Sequence, residues 1–123
     1  MNGRHDCVFC KIVAGEIQAS RVLDHPLAIV IADRAPVASK HLLVIPKWHW
    51  DDVVDAGLSE SSEELAGILR VATTVGRLEC KDGGFRIVIN TGEHAGQTVK
   101  HFHVHVIGGE PLGAMVRLPF GEA

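Results

Sequence analysis

Three histidines alternate with apolar residues in the run His101-Phe102-His103-Val104-His105-Val106-Ile107. On an extended strand, residues i, i+2 and i+4 share one face. His101, His103 and His105 are therefore expected together on one side, with Phe102, Val104 and Val106 turned into a core. Three adjacent imidazoles must each be hydrated, hydrogen-bonded or metal-bound. A half-exposed strand face is the plainest reading. A single ion shared by all three is awkward, because the outer two lie about 13 Å apart at ~3.3 Å per residue. At most two neighbours can share one ion. The chemical reading asks less. With a pKa of about 6.5, a neutral imidazole attacks phosphorus through one ring nitrogen while a hydrogen bond fixes the other. A second imidazole two residues on steadies the developing charge. His103 is the nucleophile in this reading and His105 the donor to phosphate.

A second constellation is Cys7-x-x-Cys10. Three cysteines and no secretory leader do not suggest a disulfide framework. A lone CxxC is weak evidence for zinc and needs two more ligands. His49 and His101 are the best candidates. A thiol redox pair and two inert core residues are the rival readings, and the βαβ setting of redox pairs is missing.

These groups need a scaffold. The chain of 123 residues suits a single domain, read as 1–123 with a core over 7–109 and a tail over 110–123. Hydrophobic residues at 46% allow a full core. A net charge of −3 argues against nucleic acid as the main partner. No apolar run reaches membrane-spanning length, so a soluble, cytoplasmic protein without a membrane partner is expected.

Residues 7–13 read as a short helix stopped near Gly15. Strands are expected over 20–25 and 27–33, with a hairpin at His25-Pro26. A third strand runs over His41–Pro46. Residues 59–80 read as one long helix with a stripe of Leu65, Ile68, Leu69, Ala72, Val75 and Gly76. Ser61 with Glu64 fits a capping box, and Ser59 is a rival cap. Phe85–Asn90 and His101–Ile107 are the last strands, separated by the Gly-containing loop 91–97. Strands outnumber helices, which points to an α+β domain with a mainly antiparallel five-stranded sheet.

The pattern His-φ-His-φ-His-φ-φ, with Gly96-Gln97-Thr98-Val99 before it and Gly108-Gly109 after, resembles the histidine-triad (HIT) superfamily and its Hint branch of nucleoside phosphoramidases. That resemblance implies a HIT-like domain, a homodimer and a purine nucleotide ligand. It implies hydrolysis of adenosine phosphoramidate-type substrates at the α-phosphorus, through a nucleotidyl intermediate on His103. A dinucleoside polyphosphate hydrolase and a non-catalytic nucleotide-binding or partner-binding module are the alternatives. His103, His105, His101 and His41 form the implied catalytic set, with His41 supporting the triad and no catalytic metal.

For the nucleotide, the resemblance assigns Val8, Phe9, Ile12 and Ile31 to an apolar purine slot. Asp33 is assigned to the ribose hydroxyls. Asn90, Gly96, Gln97, Thr98 and Val99 surround the phosphate and leaving group. Some bacterial members of the family carry a structural Cys₂His₂ zinc site, matching Cys7, Cys10, His49 and His101. Two departures stand out. Arg34 replaces an apolar residue common beside the base, although Arg can stack on a purine. The tail from Glu110 lacks the Trp-Pro-Pro-Gly type ending of eukaryotic Hint proteins; in the family this segment reaches toward the partner's site.

Overall fold

A computed structural model of the chain describes residues 3–60 and 62–115. Five antiparallel strands form one sheet: β1 (Arg21–Asp24), β2 (Ala28–Ala32), β3 (Lys40–Pro46), β4 (Phe85–Val88) and β5 (Val104–Gly108), in the order β1-β2-β3-β5-β4. Three α-helices accompany it: α1 (Val8–Val13), α2 (Val53–Gly57) and the long α3 (Ser62–Glu79). The α+β architecture expected from the sequence is the one observed. α2 was not foreseen; it is five residues long, capped by the Asp52 side chain on the Asp55 N–H. The expected Ser61–Glu64 capping box involves Ser61, which lies outside the described residues, as do tail residues 116–123. The Ser59 hydroxyl donates to Ala56 O at the end of α2.

Strand alternation sorts the core into two layers. Ala28 and Val30 of β2, Leu42 and Val44 of β3, and Val104 and Val106 of β5 pack against Ile68, Val71, Ala72 and Val75 of α3. Ile29 and Ile31, with Leu43 and Ile45, face the other way onto Phe9, Cys10 and Ile12 of α1. The helical stripe is rotated slightly from expectation: Val71 is buried, while Leu69 is exposed. Burying β2 and β3 on both faces suits their unbroken apolar runs. His105 pairs with Leu43 across the ladder, so the imidazoles belong to the α1 face.

α1 is too short to persist alone. The Cys7 side chain caps its start, and the Arg21 guanidinium donates to Ile12 O at its end, 2.6 Å away. A cation there also complements the helix dipole.

Gly76 shows how tightly α3 meets the sheet. A Cβ at this position would lie 2.4–2.6 Å from ring atoms of Phe85. Gly76→Ala gains helix propensity but forces that ring aside, with a net loss of about 1–3 kcal/mol expected. Urea unfolding measures it, and an unchanged midpoint would mean that Phe85 moves freely.

Candidate active site and metal centre

The strand expected over His101–Ile107 begins only at Val104. Two local causes are visible. β3 ends at Pro46, which has no N–H to continue the ladder. The Phe102 N–H instead donates to Trp50 O at 2.6 Å. Alternation nonetheless persists: Phe102 is core, and the imidazoles of His101 and His103 are buried on the opposite side.

Carbonyl and amide partners fix the tautomers. His103 Nδ1 lies 2.7 Å from His101 O. A carbonyl only accepts, so Nδ1 carries the hydrogen and the lone pair stays on Nε2. The Phe9 ring packs edge-on to His103 at 5.0 Å and limits its rotation. His41 Nδ1 accepts the Val37 N–H, which puts its hydrogen on Nε2. That nitrogen is 2.9 Å from His105 Nδ1 and 3.3 Å from Asp33 Oδ2. His105 therefore accepts at Nδ1 and carries its own hydrogen on Nε2. Asp33, His41 and His105 are close enough to suggest a metal, but the hydrogen on His41 Nε2 makes them a proton-bonded chain instead.

Burial favours the neutral form of His103 and His105. It lowers His103 below the ordinary histidine value and brings His105 down to about 4, with His103 and His41 adding to the effect. Between pH 6.5 and about 4 the unfolded chain thus binds a proton at His105 that the folded chain refuses. Stability is expected to fall as pH drops through that window and to be insensitive to this group above it. Urea midpoints at pH 7, 6 and 5 test the slope, and His105→Asn should reduce it by the share of His105, leaving the part due to the other buried imidazoles.

These groups edge a cavity of about 510 Å³. Its apolar wall contains Val8, Phe9, Ile12, Ile31 and Leu43, and its polar side contains Asp33, Asn90, Thr98, His103 and His105. Gly96 and Val99 also line it, so most of the residues assigned from sequence to a nucleotide meet in one place. Arg34 sits at its exposed rim. Ile17 to Ser20 line it as well and were missed; they fall between α1 and β1, where only the apolar Ile17 after Gly15 gave a signal.

Gln97 is not among the residues that line the cavity. Its amide nitrogen donates to Asp51 O at 2.7 Å and Val99 O at 3.0 Å, and its oxygen accepts the Gly92 N–H at 2.9 Å. Those bonds hold its side chain among backbone groups, outside the cavity lining. Asn90 lines the cavity but also donates to Ala95 O at 2.8 Å. The loop these amides brace turns at Gly96, whose φ of +82° falls in the left-handed region that favours glycine.

Behind the cavity, Cys7, Cys10, His49 and His101 form a buried cluster whose ligand atoms all lie within 4.8 Å of one another. Cys7 Sγ is 3.3 Å from His101 Nδ1; Cys10 Sγ is 3.2 Å from His49 Nδ1 and 3.5 Å from His101 Nδ1. The two imidazole nitrogens are 3.2 Å apart. A tetrahedral zinc with ordinary Zn–S and Zn–N bonds has S···N edges of about 3.5 Å and N···N edges of about 3.3 Å. The outer nitrogens are committed elsewhere, His101 Nε2 to Pro46 O at 2.9 Å and His49 Nε2 to Asp51 Oδ1 at 2.8 Å. That arrangement turns both Nδ1 lone pairs inward, as metal-bound histidines require. The His49 contact comes first among the causes holding the Asp51 carboxyl below its usual range. The four residues fit a zinc ion. His41 and His101 lie beside the cavity rather than in its lining.

A HIT-domain family model matches residues 14–112. The purine nucleoside phosphoramidase of Escherichia coli (strain K12) is 34% identical over 112 residues, covering 90% of this chain and 93% of that protein. A HIT-like protein of Azospirillum brasilense is 39% identical over 110 residues, covering 89% of this chain and 90% of its own. Among solved structures, a histidine triad protein from Clostridium difficile superposes with a TM-score of 0.85 at 34% identity, over 92% of this chain and 98% of that one. A Zn-bound histidine triad family protein from Mycobacterium smegmatis superposes with a TM-score of 0.77 at 35% identity, over 93% and 84%. Since the HIT-domain model matches residues 14–112 and solved histidine triad proteins at 34% and 35% identity superpose over most of the chain, the chain belongs to the HIT domain family.

Proposed function

We propose that the chain binds a purine nucleoside 5′-monophosphate derivative and hydrolyses it at the α-phosphorus, with an adenosine phosphoramidate as the substrate class. The observation that carries this reading is the His103 Nδ1 contact with His101 O, which leaves Nε2 unprotonated beside the cavity. Relatives with a phosphoramidase activity support the substrate class.

On this reading the purine occupies the wall of Val8, Phe9, Ile12 and Ile31, and Asp33 accepts from the ribose hydroxyls. His103 Nε2 attacks phosphorus, the phosphorus–nitrogen bond to the amine breaks, and the amine leaves with a proton taken from water. A water oxygen then bonds to phosphorus, the His103–phosphorus bond breaks, and the water proton returns to solvent. His105, donating from Nε2, steadies the charge on the phosphoryl oxygens, with Thr98 and the loop backbone. Zinc at Cys7, Cys10, His49 and His101 is structural in this proposal: when bound, it supplies a fixed anchor for His101 and no reacting group.

Incubation with an adenosine 5′-phosphoramidate, followed by acid-free isolation of the labelled protein, tests the proposal. AMP and amine should be released in equal amounts, with AMP transiently bound to His103. Release only from a dinucleoside polyphosphate would move the substrate class. AMP binding with turnover of neither substrate would sink the enzyme reading.

A further inference from the structure

We infer that Gln97 is a positioning residue, which ties the order of the loop bearing Gly96, Thr98 and Val99 to the segment that supplies metal ligand His49. The inference goes beyond the hydrolase reading and rests, for its metal half, on zinc occupying the cysteine–histidine cluster.

Two connections run from that cluster to the cavity loop and His103. One is short: His101 is a candidate ligand through Nδ1, and its carbonyl holds His103. The other runs through His49. Its Nε2 donates to the Asp51 carboxylate at 2.8 Å, and Asp51 O accepts the Gln97 amide at 2.7 Å. Gln97 then grips its own loop twice, at Gly92 N and Val99 O. Asp51 and Gln97 are 46 residues apart, so the bond is a cross-brace rather than a local turn. Trp50 O, in the same segment, accepts the Phe102 N–H.

The brace needs two N–H donors and one acceptor on a single side chain of this length, and Gln meets that requirement. Glu keeps the acceptor at Gly92 but presents a second oxygen to two carbonyls. Met keeps the length and loses every hydrogen bond. Either change therefore removes the tie to Asp51 while leaving the cavity lining and the four cluster residues untouched.

Hydrogen exchange of the loop amides, read by mass spectrometry on the full chain as purified, tests this. In Gln97→Met and Gln97→Glu, residues 92–99 should exchange about tenfold faster than in the wild type, with α3 unchanged and zinc content equal. Turnover should fall by a similar factor with KM nearly unchanged, because a loosened loop harms the transition state more than the bound substrate. Chelation should speed loop exchange in the wild type and add little in the variants. Wild-type exchange in both variants would overturn the inference. So would equal acceleration by chelator in variant and wild type, which would mean that metal and loop are independent. If chelation also speeds α3, the chain has opened globally, and the zinc-loaded variants alone decide. A wild type without zinc would refute the metal reading, while the variant comparison would still judge the Asp51–Gln97 brace.

Discussion

His103→Ala should stop turnover of an adenosine phosphoramidate by at least about 10⁴-fold while AMP binding changes only a few-fold. The asymmetry follows from where the side chain sits. His103 is 8% exposed, enough for its Nε2 to meet the cavity, and Nδ1 is spent on His101 O. On the proposed mechanism, alanine removes the attacking nitrogen and so the covalent route. The proposed base wall around Phe9 and Ile12 and the carboxylate of Asp33 remain. The truncation also strands His101 O and removes the ring against Phe9, a loss of about 1–3 kcal/mol that leaves the two-layer core folded. Single-turnover kinetics should show no protein-bound AMP, and calorimetry should show retained affinity. Turnover near wild type in His103→Ala would refute the nucleophile assignment outright. Lost turnover together with lost AMP affinity would mean that His103 acts mainly in binding.

Local periodicity carried most of the fold. The apolar runs at 27–32 and 42–46 have the length of buried strands, and in the structure they form the centre of the sheet, buried on both faces. The helical spacing of α3 was equally plain, but its rotation was not, because Leu69 and Val71 are equivalent by type and only packing on β3 and β5 separates them. α2 offers one turn of chain and a capping Asp52, too little for a periodic signal. The start of β5 was misread because Pro46 lies on β3, in a different part of the sequence, and decides from there where the ladder stops.

Residue types announced the site better than its wiring. Cys7, Cys10, His49 and His101 are spread over 95 positions, and ligand chemistry with the family resemblance grouped them; the structure brings them together. For Gln97 the residue type did not disclose its partners within the chain. An amide beside a glycine-containing loop suggests a ligand contact; in the structure it also bonds Gly92 N, Asp51 O and Val99 O. Nothing in the sequence links position 97 to position 51. The tautomers of His41, His103 and His105 were likewise invisible, because backbone groups set the first two and His41 in turn sets the third.

Cys10→Ser should abolish zinc binding and lower the thermal midpoint by at least about 10 °C, as expected if several kcal/mol of metal-linked stability are lost. Burial, the largest influence on Cys10, pushes its thiol up, and a bound cation would favour the thiolate. Serine is a poor zinc ligand and leaves His49 Nδ1 and His101 Nδ1 facing each other at 3.2 Å. The damage should concentrate on one layer: α1, held by Cys7, Phe9, Cys10 and Ile12, would loosen from the sheet. The α3 layer has its own core and should keep the chain folded. Cys80→Ser is the matched control. Cys80 is also buried, with burial again raising its thiol, but it lies near Gly108 on the other side and outside the cluster. It should retain one zinc per chain and shift the midpoint by only a few degrees. Elemental analysis and thermal unfolding of the three proteins, purified without chelator, decide the matter. Equal midpoints and equal zinc in wild type and Cys10→Ser would remove the metal from this site. A midpoint loss in Cys10→Ser from a wild type that holds no zinc would instead make the cysteines ordinary core residues of the α1 layer.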